Sequence, residues 1–131
     1  MQDKRNSERR ETASLFAQIK QQAPNFFAVY DTEYNELIGH LADLSTTGMR
    51  VISKDALWLD QTFAIRIDLP REVRDRTEIN AVARVIWSRP HPTNGLFDLG
   101  FHFETVSDDD TQTIRQLLSI LSILVLNSAN V

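Results

Sequence analysis

The fold of this chain is decided by the stretch TFAIRIDL (residues 62–69), in which large apolar residues occupy every second position. A period of two is typical of a β-strand that buries one face. Similar alternation at residues 79–87 and 97–103 predicts two further strands. Pro70 is expected to end the first strand because proline cannot donate to a sheet ladder. The charged residues 71–78 then predict a solvated hairpin loop.

Shorter extended segments are predicted nearer the N-terminus, at residues 15–19, 26–30, 37–44 and 49–52. The pattern changes at Ser107, which three aspartates follow, as is typical of a helix N-cap with an acidic first turn. A helix is therefore predicted from about Asp108 to Asn127. About six or seven strands and one terminal helix predict an all-β fold, a small antiparallel barrel flanked by that helix.

The composition is that of one domain of 131 residues, with no cysteine and a net charge of -4. This acidic balance argues against binding to DNA or RNA, which needs a basic face. The N-terminus lacks the apolar segment of a secretory signal, so a cytoplasmic protein is predicted. We predict two units, a flexible arm at residues 1–12 and the barrel with its helix at 13–131. The arm contains four basic residues, Lys4, Arg5, Arg9 and Arg10.

Two arginines of the arm, Arg5 and Arg9, form an R-x-x-x-R motif. A guanidinium can donate two hydrogen bonds to a phosphate or to the O6 and N7 atoms of guanine. Fixing six arm residues costs on the order of 6–12 kcal/mol of backbone entropy. The arm therefore suits a switch that orders on binding and needs a second, preformed half. The alternative is a solvated charged tail.

The second half is predicted at the turn DLSTTG (residues 43–48), between two apolar runs. If the chain stays extended, Asp43 and Ser45 project on the same side. A carboxylate accepts from the N1–H and N2–H2 donors of guanine, a hydroxyl donates to a phosphate or base, and Gly48 permits positive φ or close approach of a ligand. The alternative is an ordinary turn whose side chains bond their own backbone.

The pairing of R-x-x-x-R with D-x-S-x-x-G resembles the PilZ family of cyclic di-GMP receptors. Residues 48–51, 83–87 and 99–103 are similar to the family's strands. The resemblance implies a six-stranded antiparallel barrel with a C-terminal helix and a non-catalytic protein whose ligand is cyclic di-GMP. It also implies that Arg5 and Arg9 clamp guanines and phosphates, while Asp43, Ser45 and Gly48 hold the other side of the nucleotide.

One departure from the family concerns Arg10, because an apolar residue usually follows the second arginine. Either Arg10 is an additional phosphate contact or the arm is shifted in register. With Lys4, it also suggests room for a stacked pair of ligands.

The tryptophans and histidines give weaker evidence for a binding site. Trp87 is predicted either to stack on a guanine or, with preference, to pack at the barrel rim under the helix. Trp58 is predicted to lie in the core. The three histidines lack the spacing of metal ligands, and Ser45 has no histidine partner, so neither a metal site nor an enzyme is predicted.

The apolar run at residues 117–126 is too short to span a bilayer. It predicts a helix that packs deeply on the barrel, or one whose remaining face forms a homodimer or partner contact. Together these features predict a cyclic di-GMP receptor that folds its arm onto the barrel mouth and signals to an unidentified protein. The alternative is an adaptor of the same fold that binds no nucleotide.

Overall fold

The computed structural model describes residues 27–92 and 95–129, the side chains at 71 and 121–129 excepted. The predicted arm and the predicted strand at residues 15–19 lie outside the described residues. The elements are β1 (Ala28–Asp31), β2 (Glu36–Leu44), β3 (Gly48–Ser53), β4 (Thr62–Val73), β5 (Arg76–Pro90), β6 (Phe97–Thr105) and α1 (Asp108–Ala129).

The strands form a closed antiparallel barrel in the order β1-β2-β3-β6-β5-β4. The all-β, six-stranded prediction with one C-terminal helix is therefore confirmed. Alternation places the apolar residues inside, where Val51, Ile65, Ile67, Leu99 and Phe101 are each at most 2% exposed. The residues between them project outward, so the barrel is filled by its own core and its outer wall is available for other contacts.

The hairpin between β4 and β5 corrects two predictions. Pro70 does not end β4, which continues to Val73 through an irregular stretch where the register shifts. Such a stretch tolerates proline because no regular ladder bond is needed from its nitrogen. Instead of a long loop at 71–78, only Arg74 and Asp75 form the turn, both with positive φ, as a two-residue hairpin turn requires.

Helix α1 begins as predicted, because the Ser107 hydroxyl accepts from the backbone N–H of Asp110 at 3.0 Å. The Asp110 carboxylate in turn lies 3.1 Å from Arg76 at the hairpin tip. Further along, Ile114 and Leu117 are buried in the same core as the strands. The helix is therefore fixed to the barrel at the hairpin end, against β4 and β5.

Trp58 was predicted to lie in the core, and this is wrong. Its side chain is 83% exposed, and the neighbouring Leu59 is 63% exposed. The two lie in the connection between β3 and β4, at a turn in which the Gln61 N–H donates to the Trp58 carbonyl oxygen at 3.3 Å. A turn at this position projects its side chains away from the barrel. Among the described residues, the structure contains no helix that is both long and apolar enough to span a membrane.

Candidate functional site

A single row of residues crosses the outer wall of four adjacent strands. Asp43 of β2 lies opposite Arg50 of β3, Arg50 lies opposite Gly100 of β6, and Gly100 lies opposite Trp87 of β5. Arg50 and Gly100 alternate with core residues and therefore face outward. Their partners Asp43 and Trp87 line the same outer cavity. Register shifts in β2 and in β5 bring Asp43 and Trp87 into this row. The barrel thereby places a carboxylate, a guanidinium and an indole side by side.

The row lines a half-open cavity of about 280 Å³. Three of the predicted site residues contribute to it, namely Asp43, Gly48 and Trp87. The other lining residues are Thr47, Met49, Arg50, Ile86, Gly100, Phe101 and His102. The cavity lies outside the barrel beside the β2–β3 turn, whereas the prediction placed the site at the barrel mouth. The inside is closed to a ligand because the core fills it.

The Asp43 and Ser45 side chains do not continue along one strand face. Strand β2 ends at Leu44, and Asp43 is a buried residue of its outer side, only 8% exposed. Ser45 enters the turn, where its hydroxyl oxygen lies 3.3 Å from the Gly48 carbonyl oxygen and accepts from the Thr47 N–H at 3.3 Å. Ser45 thus bonds its own turn and is not one of the residues lining the cavity.

Gly48 is needed because β3 and β6 approach closely. A Cβ at this position would lie less than 3.0 Å from the Phe101 carbonyl oxygen. Its φ is not in the left-handed region, so a positive φ, the first reason predicted for this glycine, does not apply. The second, close approach of a ligand, stays a prediction, because the backbone of β6 fills the space that a side chain at Gly48 would take.

Trp87 packs against Gly100 of β6. A Cβ on Gly100 would overlap the indole ring, so the absence of a side chain there lets the ring lie against the strand. The Arg89 guanidinium carbon lies 4.6 Å from the centroid of the Trp87 ring, a cation–π contact. The ring therefore packs against β6, whereas the sequence-based prediction placed it under the helix; because Trp87 also lines the cavity, stacking on a guanine stays a prediction.

The sequence reasoning missed the charged groups beside the row. Asp98 faces outward on β6 but is only 4% exposed. Its carboxylate lies 3.0 Å from Arg50 Nη1, 3.8 Å from Arg89 Nε and 3.8 Å from His91 Nε2. The alternation alone predicts only that Asp98 and Arg50 are polar residues on the outward face of their strands. Their pairing depends on which strands are neighbours, and the sequence does not give that order.

The predicted arm residues Arg5, Arg9 and Arg10 lie outside the described residues, as does Lys4. Within the described part of the chain, no group of three histidine, aspartate or glutamate side chains is arranged to hold a metal ion.

A family model for the PilZ domain matches residues 3–119, a span that includes both sequence motifs and all six strands. The chain belongs to the PilZ domain family. Its fold is accordingly similar to solved PilZ structures. The PilZ domain of YcgR from Escherichia coli, solved with c-di-GMP, is 19% identical, with a TM-score of 0.58 over 80% of this chain and 87% of that one.

Two longer proteins contain a similar domain. YcgR from Escherichia coli in complex with c-di-GMP is 20% identical over 82% of this PilZ chain, with a TM-score of 0.65. The inhibitor of motility MotI/DgrA from Bacillus subtilis is 19% identical over 77%, with a TM-score of 0.57. This chain covers 45% and 50% of their lengths. A comparison with curated proteins gave no match.

Proposed function

We propose that this PilZ domain is a non-catalytic receptor for cyclic di-GMP. The observation that supports the proposal is the outward row with its cavity, where Trp87 lies together with Asp43 and Gly48 although it is about 40 residues away in the sequence. The YcgR structures to which this chain is similar were solved with the same nucleotide. A cavity on the outer wall also leaves space above it for a separate segment to cover the ligand.

In the proposed complex, each side of the ligand meets a different group. The Asp43 carboxylate accepts hydrogen bonds from the N1–H and N2–H2 donors of a guanine. Gly48 lets the nucleotide approach the backbone, and the Ser45 hydroxyl, at the edge of the cavity, reorients from its turn to reach a phosphate or a base. Trp87 offers an apolar ring beside the base.

The N-terminal arm supplies the remaining contacts in this proposal. Arg5 and Arg9 bind guanine acceptors and phosphates from above the cavity, and Arg10 adds a phosphate contact. Ordering the arm changes the surface presented to a partner protein, and this change transmits the signal. We propose that the receptor acts in the cytoplasm.

The test is a calorimetric titration with cyclic di-GMP, with GTP as the control ligand. Binding to the native state should also raise the melting temperature, since a ligand at 100 times its Kd adds about 2.7 kcal/mol of stability. Arg9→Ala should abolish binding and leave the melting temperature of the free protein unchanged. Arg115→Ala, which removes the same charge from an exposed position on α1, should bind normally. Wild-type protein that gives neither heat nor a melting shift would refute the receptor.

A second candidate is a protein–protein adaptor of the same fold that binds no nucleotide. The observation that favours it is the exposed pair Trp58 and Leu59, because large apolar side chains at a turn are suited to a partner surface. The sequence-based version of this proposal used the C-terminal helix as the contact or as a homodimer surface. An absent nucleotide response, together with loss of partner binding in Trp58→Ser, would select the adaptor.

A further inference from the structure

Asp98 holds two arginines beside the cavity, and neither belongs to the motifs from which the receptor is proposed. Arg50 Nη1 lies 3.0 Å from Asp98 Oδ1, and Arg89 Nε lies 3.8 Å from Asp98 Oδ2. The carboxylate side chain is only 6% exposed, whereas those of Arg50 and Arg89 are 26% and 65% exposed. A buried anion thus supports two cations that reach the surface.

The two arginines are preorganised in different ways. Arg50 is held by its ion pair in the row between Asp43 and Gly100. Arg89 is held by Asp98 and by stacking on the Trp87 ring at 4.6 Å. A guanidinium has five N–H donors. The Asp98 contact engages Nη1 of Arg50 at 3.0 Å and Nε of Arg89 at 3.8 Å. Nη2 of Arg50 and both Nη atoms of Arg89 can therefore serve a second anion.

We propose that Arg50 and Arg89, positioned by Asp98, form a cationic shelf that binds a phosphate group of the cyclic dinucleotide. This inference rests on the proposed receptor function and assigns a ligand orientation within it. The two arginines and Asp98 carry a net charge of +1 and lie on β3, β5 and β6. Asp43 places its negative charge on the β2 side. The guanine edge therefore lies toward β2, and the phosphate lies toward β3, β5 and β6.

The shelf also reduces what the arm must supply. Because these arginines are already held by folded strands, their contacts to a phosphate require little further ordering. Charge-assisted, forked hydrogen bonds of this kind are the strong ones. The shelf thereby provides the preformed half that the N-terminal arm needs.

The first experiment measures the Kd for cyclic di-GMP by calorimetry in Arg50→Gln and Arg89→Gln. Arg66→Gln is the matched control, because Arg66 has a 27% exposed side chain, an ion pair at 2.8 Å and a ring contact at 4.6 Å on Tyr30 of β1. We expect each shelf variant to weaken binding about tenfold and to reduce its salt dependence. The control should change the Kd less than about twofold, since an exposed charge far from the ligand is screened.

The second experiment tests Asp98 as a positioning residue. If Asp98 acts only through its negative charge, Asp98→Asn should strengthen the binding of the anionic cyclic di-GMP. If it positions the arginines, Asp98→Asn should weaken binding about tenfold in the wild-type background and have no effect in a chain that carries both Arg50→Gln and Arg89→Gln. Tighter binding by Asp98→Asn, or equal weakening in the two backgrounds, would overturn the positioning role.

The outcomes separate this inference from the proposed function. Wild-type protein that binds no cyclic di-GMP overturns both. Wild-type protein that binds, with shelf variants that match Arg66→Gln, overturns the shelf alone. Should Asp98→Asn fail to fold by circular dichroism, the comparison of Arg50→Gln and Arg89→Gln with Arg66→Gln still decides the proposal.

Discussion

Replacement of Gly100 by alanine should disturb the candidate site through one side chain, the Trp87 indole. The new methyl group would overlap that ring, which must move off the strand and leave its contact with Arg89. Overpacking of this kind costs about 1–3 kcal/mol, and a lost cation–π contact adds about 0.5–1 kcal/mol. Alanine in a strand is more favourable than glycine by about 0.5–1 kcal/mol, and this gain offsets the lost cation–π contact. We expect the free energy of unfolding to fall by about 2 kcal/mol.

The assay is urea unfolding followed by fluorescence, in a Trp58→Phe background. The chain has two tryptophans, and Trp58 is 83% exposed, so its replacement leaves stability unchanged and makes Trp87 the sole reporter. The native emission of Gly100→Ala should shift to the red, because the displaced indole gains water.

A second experiment, in a Trp87→Ala background, tests whether the indole causes the loss of stability. In Trp87→Ala, measured by circular dichroism, the ring is gone and Gly100→Ala should be neutral or slightly stabilising. An equal loss of stability in both backgrounds would refute the reasoning, because the penalty would then come from the strand backbone and not from the indole.

Three further predictions concern stability. Asp75→Gly should raise the free energy of unfolding by about 1 kcal/mol in a urea titration, because Arg74 and Asp75 both have positive φ and glycine adopts this conformation without a Cβ penalty; a loss would contradict the hairpin turn. Ser107→Ala should lower it by about 1 kcal/mol, since its hydroxyl accepts from the Asp110 N–H, and an unchanged melting curve would contradict this cap. Trp58→Ser should change it by less than about 0.5 kcal/mol, as expected for an exposed side chain, whereas a core residue would cost several times more.

Much of the fold could be predicted from local patterns. Alternation over 62–69 and 97–103 located two strands because a sheet that buries one face imposes that period on its sequence. Ser107 with its aspartates located the helix start for an equally local reason. Trp58 was misplaced because neighbouring leucines suggested burial, while the turn that projects it outward has no strong sequence signal.

The candidate site was predictable only in part. Asp43 and Gly48 lie close together in a recognisable motif, so their shared location followed from the sequence. Asp98 and Arg50 are 48 residues apart, and their contact exists because β3 and β6 are neighbouring strands in the barrel. Pairing between strands that are not consecutive in the chain is decided by the whole topology.

The closed ring has a consequence for how another protein can recognise this domain. Each of the six described strands is hydrogen-bonded to a neighbour on both sides. An incoming peptide therefore finds no open sheet edge along which to add itself as an extra strand. Partners must read side chains and turns, so a few substitutions on the outer wall are enough to redirect recognition while the barrel itself stays the same.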